Sequence, residues 1–362
     1  MTPRQLNIAL IGCGRIGFLL ENDPLRYKPC THYGGAAAAG LAVTHACDIN
    51  RERLARFGKA AGIPAENRHE DYRTLLRGAR PDMAIIATWT ESHERIAVEA
   101  ARCGARIIVL EKPMAPSLER CRAIIDECSS SGTTIIVNHE RRYDSRYRAV
   151  KKIISRGTIG AVKTVHASVL TAGYTGKSRP DEGGGPLLHD GTHLVDITRY
   201  LFGDITAVAG EFQRPGRANG FEDRACAWLT TGGNVDIFLE AGGCRSYFVF
   251  ELEISGTKGK IVIGNGYEHL YCRRKSRFYT GFHDIAETRF PSFKKNNCFQ
   301  ELYREAWKAA AGGMSVTSTG ADGYRALEVI HAIYLSSHLN RKTISLPVDS
   351  ASIDLKKIFN LK

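Results

Sequence analysis

The 362-residue chain lacks any apolar run long enough to cross a bilayer. Its longest, such as Ile8–Ile11 and Ile107–Leu110, fall far short of the about 20 residues a spanning helix needs. No charged segment followed by an apolar stretch of leader length stands near the start, so the expected compartment is the cytoplasm, with no membrane partner. C-x-x-C pairs are absent although there are ten cysteines, which excludes zinc-ribbon and dithiol redox chemistry. Cys47, Cys103 and Cys226 lie in apolar runs and Cys121 and Cys128 in helical stretches, where reduced thiols behave as small hydrophobes. Repeats, low-complexity linkers and charge blocks are absent too, excluding solenoids and charged tails. The net charge of +12 is dispersed, with small clusters at Arg141-Arg142, Lys151-Lys152, Arg273-Arg274-Lys275 and Lys294-Lys295. No recognition motif accompanies them, so a nucleic-acid partner is not expected. Attraction for anionic cofactors and phosphorylated substrates, or plain solvation of surface cations, accounts for the charge.

What is present begins almost at once. An apolar, strand-like run, Leu6–Ile11, flows into Gly12-Cys13-Gly14-Arg15-Ile16-Gly17, and a second apolar run ends in an acid at Asp48. In such a G-x-G-x-x-G turn the first glycine permits a tight strand-to-helix reversal. The second lets the backbone approach a pyrophosphate, and the third lets helix and strand pack closely. The phosphates would rest on amides at the helix N-terminus, where the backbone dipole favours negative charge. Alone the motif is weak. Directly after a strand it predicts a dinucleotide site built on Gly12, Gly14, Arg15, Ile16 and Gly17. Asp48 is placed to accept from the adenosine ribose hydroxyls, which predicts NAD; Arg51 and Arg53 argue for NADP as the alternative. Asp48 follows Gly17 by more than the about 20 residues usual for this acid. The surplus lies in Glu21–Gly40, expected to be an inserted loop leaving the first helix. It either lends Lys28 or His32 to a substrate pocket or forms a surface or subunit-contact segment.

Through residue 138 the strand-like runs Asn7–Ile11, Leu41–Cys47, Met83–Ala87, Arg106–Leu110 and Thr134–Val137 alternate with helical stretches. That alternation predicts a doubly wound parallel sheet, whose ligands bind beyond the carboxyl ends of the strands. After Asn138, period-two runs recur at short spacing, with Thr231-Gly232-Gly233-Asn234 as a hairpin turn. This predicts a large, mostly antiparallel open sheet, closed by helices over Phe299–Ala311 and Ala321–Leu339. The fold class is α/β, with domains over 1–138 and 139–362.

Three further segments carry a resemblance. They are Glu111-Lys112-Pro113, Gly183-Gly184-Gly185-Pro186-Leu187-Leu188-His189-Asp190-Gly191-Thr192-His193, and Gly320-Ala321-Asp322-Gly323-Tyr324-Arg325 with a closing Ile344-Ser345-Leu346-Pro347. With the glycine turn, they make the chain resemble the Gfo/Idh/MocA family of dinucleotide-dependent oxidoreductases over essentially its whole length. The resemblance implies an NAD-binding Rossmann domain and a substrate-binding α/β domain whose open sheet often mediates oligomerisation, hence a homodimer or homotetramer. It implies hydride transfer between nicotinamide and a hydroxyl-bearing carbon of a sugar, sugar phosphate, nucleotide sugar or cyclitol. Lys112 and His193 correspond to the family's lysine and histidine and are the expected catalytic acid–base pair. The chemistry agrees, because oxidising a secondary alcohol requires a base on its hydroxyl.

Thr88-Trp89-Thr90-Glu91-Ser92-His93 stands where members often show Thr-Pro-Asn-x-x-His. Thr88, Trp89 and His93, with Glu111 and Lys112, are the further cofactor residues implied. Trp89 either stacks near the cofactor or packs on the glycine turn. Arg142 falls where members place a substrate-positioning arginine. Four residues before His193, many members carry aspartate, whereas this chain has His189, followed by Asp190. Either Asp190 supplies the carboxylate or His189 meets substrate directly. Tyr174 and Arg179, in a polar loop before the glycines, complete the substrate set. His189 and His193 have no third ligand nearby in sequence, so no metal is expected. Two alternatives stand beside a dehydrogenase: an NAD-dependent glycosidase-like enzyme using transient oxidation, and a non-catalytic NAD-sensing regulator.

Overall fold

The computed structural model describes residues 6–172, 184–214, 222–312, 315–349 and 353–359. In chain order the first elements are β1 (Ile8–Ile11), α1 (His32–Ala38), β2 (His45–Cys47), α2 (Arg51–Ala61), β3 (Arg68–His69) and α3 (Tyr72–Ala79). They continue with β4 (Met83–Ile86), α4 (His93–Arg102), β5 (Ile107–Leu110), α5 (Leu118–Ser130) and β6 (Thr134–Val137). The six strands form one parallel sheet in the order β3-β2-β1-β4-β5-β6. β1, β4 and β5 are buried at every position, as strands covered by helices on both faces must be. Caps set the helix starts. Asn50, Asp71 and Ser117 each accept an amide of the first turn of α2, α3 and α5.

The inserted stretch differs from expectation. After the glycine turn the Phe18 amide donates to the Gly14 carbonyl in α-helical register, but the Leu20 amide reaches the Arg15 carbonyl five residues back, both at 2.9 Å. The chain then leaves and returns at α1, whose His32 and Tyr33 amides donate to the Ile16 and Gly17 carbonyls at 3.0 Å each. Residues 18–31 thus interrupt the helical rod that the glycine turn would start, and the resumed stretch is helix, not loop. Thr31 caps it, accepting from the Gly34 amide and donating to Glu21 Oε2 at 2.7 Å. Lys28 lies exposed in the excursion, whereas His32 is wholly buried.

The remaining elements are α6 (Ser145–Ser155), β7 (Val162–Leu170), α7 (Pro186–His189), α8 (Gly191–Phe202), β8 (Ile205–Gln213), β9 (Arg224–Thr231) and β10 (Asp236–Gly242). After them come β11 (Val249–Gly256), β12 (Gly259–Gly264), β13 (Tyr267–Lys275), β14 (His283–Thr288), α9 (Cys298–Ala310), α10 (Gly320–His338), β15 (Ile344–Ser345) and α11 (Leu355–Phe359). Nine strands form the second sheet in the order β14-β13-β12-β11-β7-β10-β9-β8-β15. Every pair is antiparallel except β10 with β7. Alternate residues such as Val165, Ala167, Leu239, Leu252 and Ile261 are buried, while Trp228 and Phe238 stand on the open face.

The chain forms two compact units. One holds 1–144 with 296–324, the other 145–295 with 325–362. A single boundary at 138/139 therefore omits a return crossing. The cause is α9, whose Leu302, Tyr303, Ala306 and Ala310 are buried in the same cluster as β1, β4 and β5. Fully burying a leucine of this kind stabilises by about 1.5–3 kcal/mol. Gly35 of α1 lets α9 approach closely, since a Cβ there would stand 2.6 Å from Phe299 Cβ. Among the described residues no helix is long and apolar enough to cross a membrane.

Candidate functional site

The glycine turn sits at the carboxyl end of β1. Gly12 has φ +98°, and a Cβ there would stand 2.5 Å from the Ala87 carbonyl oxygen, while one at Gly17 would overlap the Gly12 carbonyl. The protein's own packing demands both glycines. Gly14 is different, because a Cβ there would meet nothing closer than Arg53 Nη1 at 3.8 Å. The open space above Gly14 fits a pyrophosphate. The amides of Gly14, Arg15 and Ile16 meet no acceptor among the described residues, as first-turn amides awaiting an anion do. Arg15 points to solvent and Ile16 packs on the core, so both offer backbone rather than side chain.

Asp48 closes the turn. Its Oδ2 accepts the Cys13 amide and its Oδ1 the Asn50 amide, each at 2.8 Å. Each carboxylate oxygen keeps a second lone pair, sufficient for a ribose diol. Arg51 points elsewhere, pairing with Glu70 at 2.8 Å on the surface. Ile49, 88% exposed, and Trp89, 58% exposed, follow the carboxyl ends of β2 and β4, where parallel sheets receive ligands. Sequence reading singled out Trp89 but not Ile49. Thr88 accepts from Ser92 Oγ at 2.7 Å. His93 is buried as a brace, its ring nitrogens 3.1 Å from the Thr88 carbonyl and 3.0 Å from that of Pro113.

Lys112 follows β5 beside a buried polar cluster. Glu111 takes the Lys112 amide at 3.1 Å on Oε2, and His32 at 2.8 Å and Asn138 at 2.5 Å on Oε1. Burial alone would raise the Glu111 pKa. The His32 hydrogen bond and the neighbouring positive charges outweigh it and hold the carboxyl down to about 2. Arg142 does not face outward as a substrate arginine would. It is buried, donating to the Thr317 carbonyl and to Asp322, each at 2.9 Å, and so fixes the start of α10.

In the other unit, Pro186 opens α7 and His189 Nδ1 lies 3.1 Å from Asp190 Oδ1. His193 stands in the first turn of α8, its amide donating to the Asp190 carbonyl at 3.2 Å. The structure thus groups His189, Asp190 and His193 on one short segment. Tyr174 and Arg179 lie outside the described residues. Among the described residues no group of three or more metal-ligating side chains is assembled.

Glu222 carries this segment, and nothing in its sequence surroundings marks it. Its carboxylate accepts the Leu187 amide at 2.8 Å and the Tyr334 hydroxyl at 3.1 Å. A Cβ at Gly185 would overlap that carboxyl, which explains the third glycine of the run. Burial, with Asp223 adding to it, pushes the Glu222 pKa from 4.5 to about 7. A folded-state pKa above the unfolded one means the native state holds the extra proton. Stability therefore falls as pH rises from 4.5 towards 7 and stays low above it. Glu222→Gln keeps the Leu187 bond on its carbonyl oxygen and turns its amide N–H to the Tyr334 oxygen, without the charge. It is expected to match the parent near pH 5 and exceed it near pH 8, by at most about 3 kcal/mol in denaturant titrations. A difference that does not vary with pH would refute this.

Comparison with known proteins agrees with the geometry. Residues 6–139 match the family model described as oxidoreductase family, NAD-binding Rossmann fold, and residues 147–262 match the GFO/IDH/MocA C-terminal domain. An inositol 2-dehydrogenase of Saccharopolyspora erythraea is 29% identical, covering 90% of this chain and 91% of the relative. A D-apiose dehydrogenase of Paraburkholderia graminis is 27% identical, with coverages of 94% and 90%. In fold the chain is similar to the WlbA dehydrogenase of Bordetella pertussis, solved with NADH and UDP-GlcNAcA, at a TM-score of 0.77 and 23% identity. That alignment covers 96% of this chain and 100% of the other. The open glycine turn with Asp48 behind it, the Glu-Lys-Pro strand end and the two matched domains lead to one assignment: the chain belongs to the Gfo/Idh/MocA oxidoreductases and carries their NAD-binding Rossmann domain.

Proposed function

We propose that the protein is an NAD-dependent dehydrogenase oxidising a hydroxyl of a sugar, sugar phosphate, nucleotide sugar or cyclitol. The observation that carries this reading is Lys112, held at the carboxyl end of β5 by its own amide's bond to a buried, ionised Glu111. When bound, NAD supplies the acceptor for a hydride from the hydroxyl-bearing carbon. Lys112 Nζ takes the hydroxyl proton, and His193 is its acid–base partner. His189 and Asp190 contact substrate hydroxyls. Relatives named for inositol and apiose support the substrate class. A regulator that only senses NAD has no use for an acid–base pair. Ten free cysteines favour a reducing, cytoplasmic setting. The open sheet face bearing Trp228 and Phe238, ring centroids 4.3 Å apart, is the surface for a second copy of the chain.

The test is a panel of sugars, inositols and nucleotide sugars with NAD, followed by NADH absorbance. Net NADH formation with a member of the panel supports a dehydrogenase. Product without net NADH supports the glycosidase-like alternative, which regenerates its NAD each cycle.

Cofactor choice gives a second test. Asp48 presents a carboxylate where a 2′-phosphate would sit, and Arg51 is drawn off by Glu70. Arg53 lies nearest Gly14 and serves the pyrophosphate. NAD is expected to exceed NADP in kcat/KM by about tenfold or more, and Asp48→Ala to move the ratio towards NADP. A tenfold preference of the parent for NADP would sink the assignment.

A further inference from the structure

We propose that His32, where the helical rod resumes, is a positioning residue that ties the cofactor turn to Lys112. The inference rests on the role proposed for Lys112. His32 belongs to the α1 start created by the 18–31 excursion. Its amide donates to the Ile16 carbonyl of the glycine turn at 3.0 Å. Its ring is wholly buried, edge-on to Phe299 with centroids 5.6 Å apart. Nδ1 lies 2.7 Å from the Tyr303 hydroxyl and Nε2 2.8 Å from Glu111 Oε1. Glu111 in turn holds the Lys112 amide through Oε2. One side chain therefore spans the path from the phosphate-facing turn to the backbone of the catalytic lysine.

The chemistry makes this span consequential. A carboxylate buried as deeply as Glu111 is stable only when its lone pairs are filled. The groups facing it are His32 from α1, Tyr303 from α9, Asn138 after β6, Lys112 beside it and, by charge, Glu140 and His93 from α4. Nε2–H of His32 donates to Glu111, and the bond between Nδ1 and the Tyr303 hydroxyl fixes the ring. Without His32, Oε1 retains only Asn138, and the buried carboxylate is left short of a partner. The amide hold at Oε2 weakens at the same time.

The experiment uses the full chain and compares His32→Met, which removes the donor, with His32→Gln, which keeps an N–H over Glu111. In hydrogen–deuterium exchange without cofactor, the Lys112 amide of His32→Met should exchange about tenfold faster or more. With the substrate found in the panel, kcat should fall about tenfold while NAD affinity stays within about threefold. His32→Gln should return kcat and exchange to within about threefold of the parent. Parent-like exchange in His32→Met would overturn the inference. So would equal losses in both variants, which would mean that the ring acts only as packing. If His32→Met does not fold, Glu111→Gln decides: the same faster exchange of the Lys112 amide is expected, and parent-like exchange overturns the proposal. Lys112→Met is run alongside. Normal turnover there defeats the proposed function instead, whereas the exchange result bears on His32 alone.

Discussion

Replacing Lys112 by methionine is expected to abolish turnover while NAD still binds. Methionine keeps the length and apolar stem of the side chain, so the strand end, the Glu111 contact through the backbone amide and the buried cluster survive. What disappears is the amine proposed to take the hydroxyl proton. Positioned proton transfer contributes about 10²–10⁴-fold, and the loss is expected at the upper end because His193 does not replace the missing amine. Cofactor affinity should hold, since the contacts proposed for the pyrophosphate, the Gly14, Arg15 and Ile16 amides, and for the ribose, Asp48, are untouched by the substitution. Steady-state kinetics with calorimetric NAD binding checks both halves. A variant that retains near-parental kcat would remove Lys112 from the chemistry.

For His193→Ala the expected result is a fall of about 10²-fold or more in kcat/KM that saturating substrate does not restore. His193 is part-buried in the first turn of α8, and its flanks Thr192, Leu194, Val195 and Asp196 are buried and hold the turn whatever its side chain. Truncation should therefore leave the helix in place and remove only the imidazole. An interaction made in the transition state lowers kcat, whereas one made equally in the ground state raises KM alone. An effect confined to KM would reduce His193 to a binding residue. Arg142 offers a contrast. Its guanidinium is engaged with Thr317 and Asp322, so its loss should lower stability before it touches kinetics.

Much of this molecule was legible from local pattern. Strands β1, β4, β5 and β6 were readable because strands buried on both faces are short continuous apolar runs, and α2, α5 and α9 because a buried stripe recurs with helical period. The glycine turn and Asp48 declared themselves because each glycine answers a backbone constraint set within one strand–turn–helix unit. β13 and β14 are not marked in this way, because β14 is the edge strand and β13 its neighbour, and polar residues on both faces of each leave no period-two alternation. α1 escaped because its helical rod is interrupted, and the hydrogen bonds that resume it cross the excursion.

What tertiary structure alone decided is the polar interior. His32 meets Glu111 across 79 positions and Tyr303 across 271. Glu222 holds the Leu187 amide, just past the glycine run, from 35 positions away. Arg142 finds Asp322 across 180. No spacing in the chain announces these partners, because a buried charge is satisfied by whichever side chains the fold brings to it. The residues proposed to face cofactor and substrate were named by their motifs. Those that hold them in place were not, since their requirement is set by burial and not by sequence period.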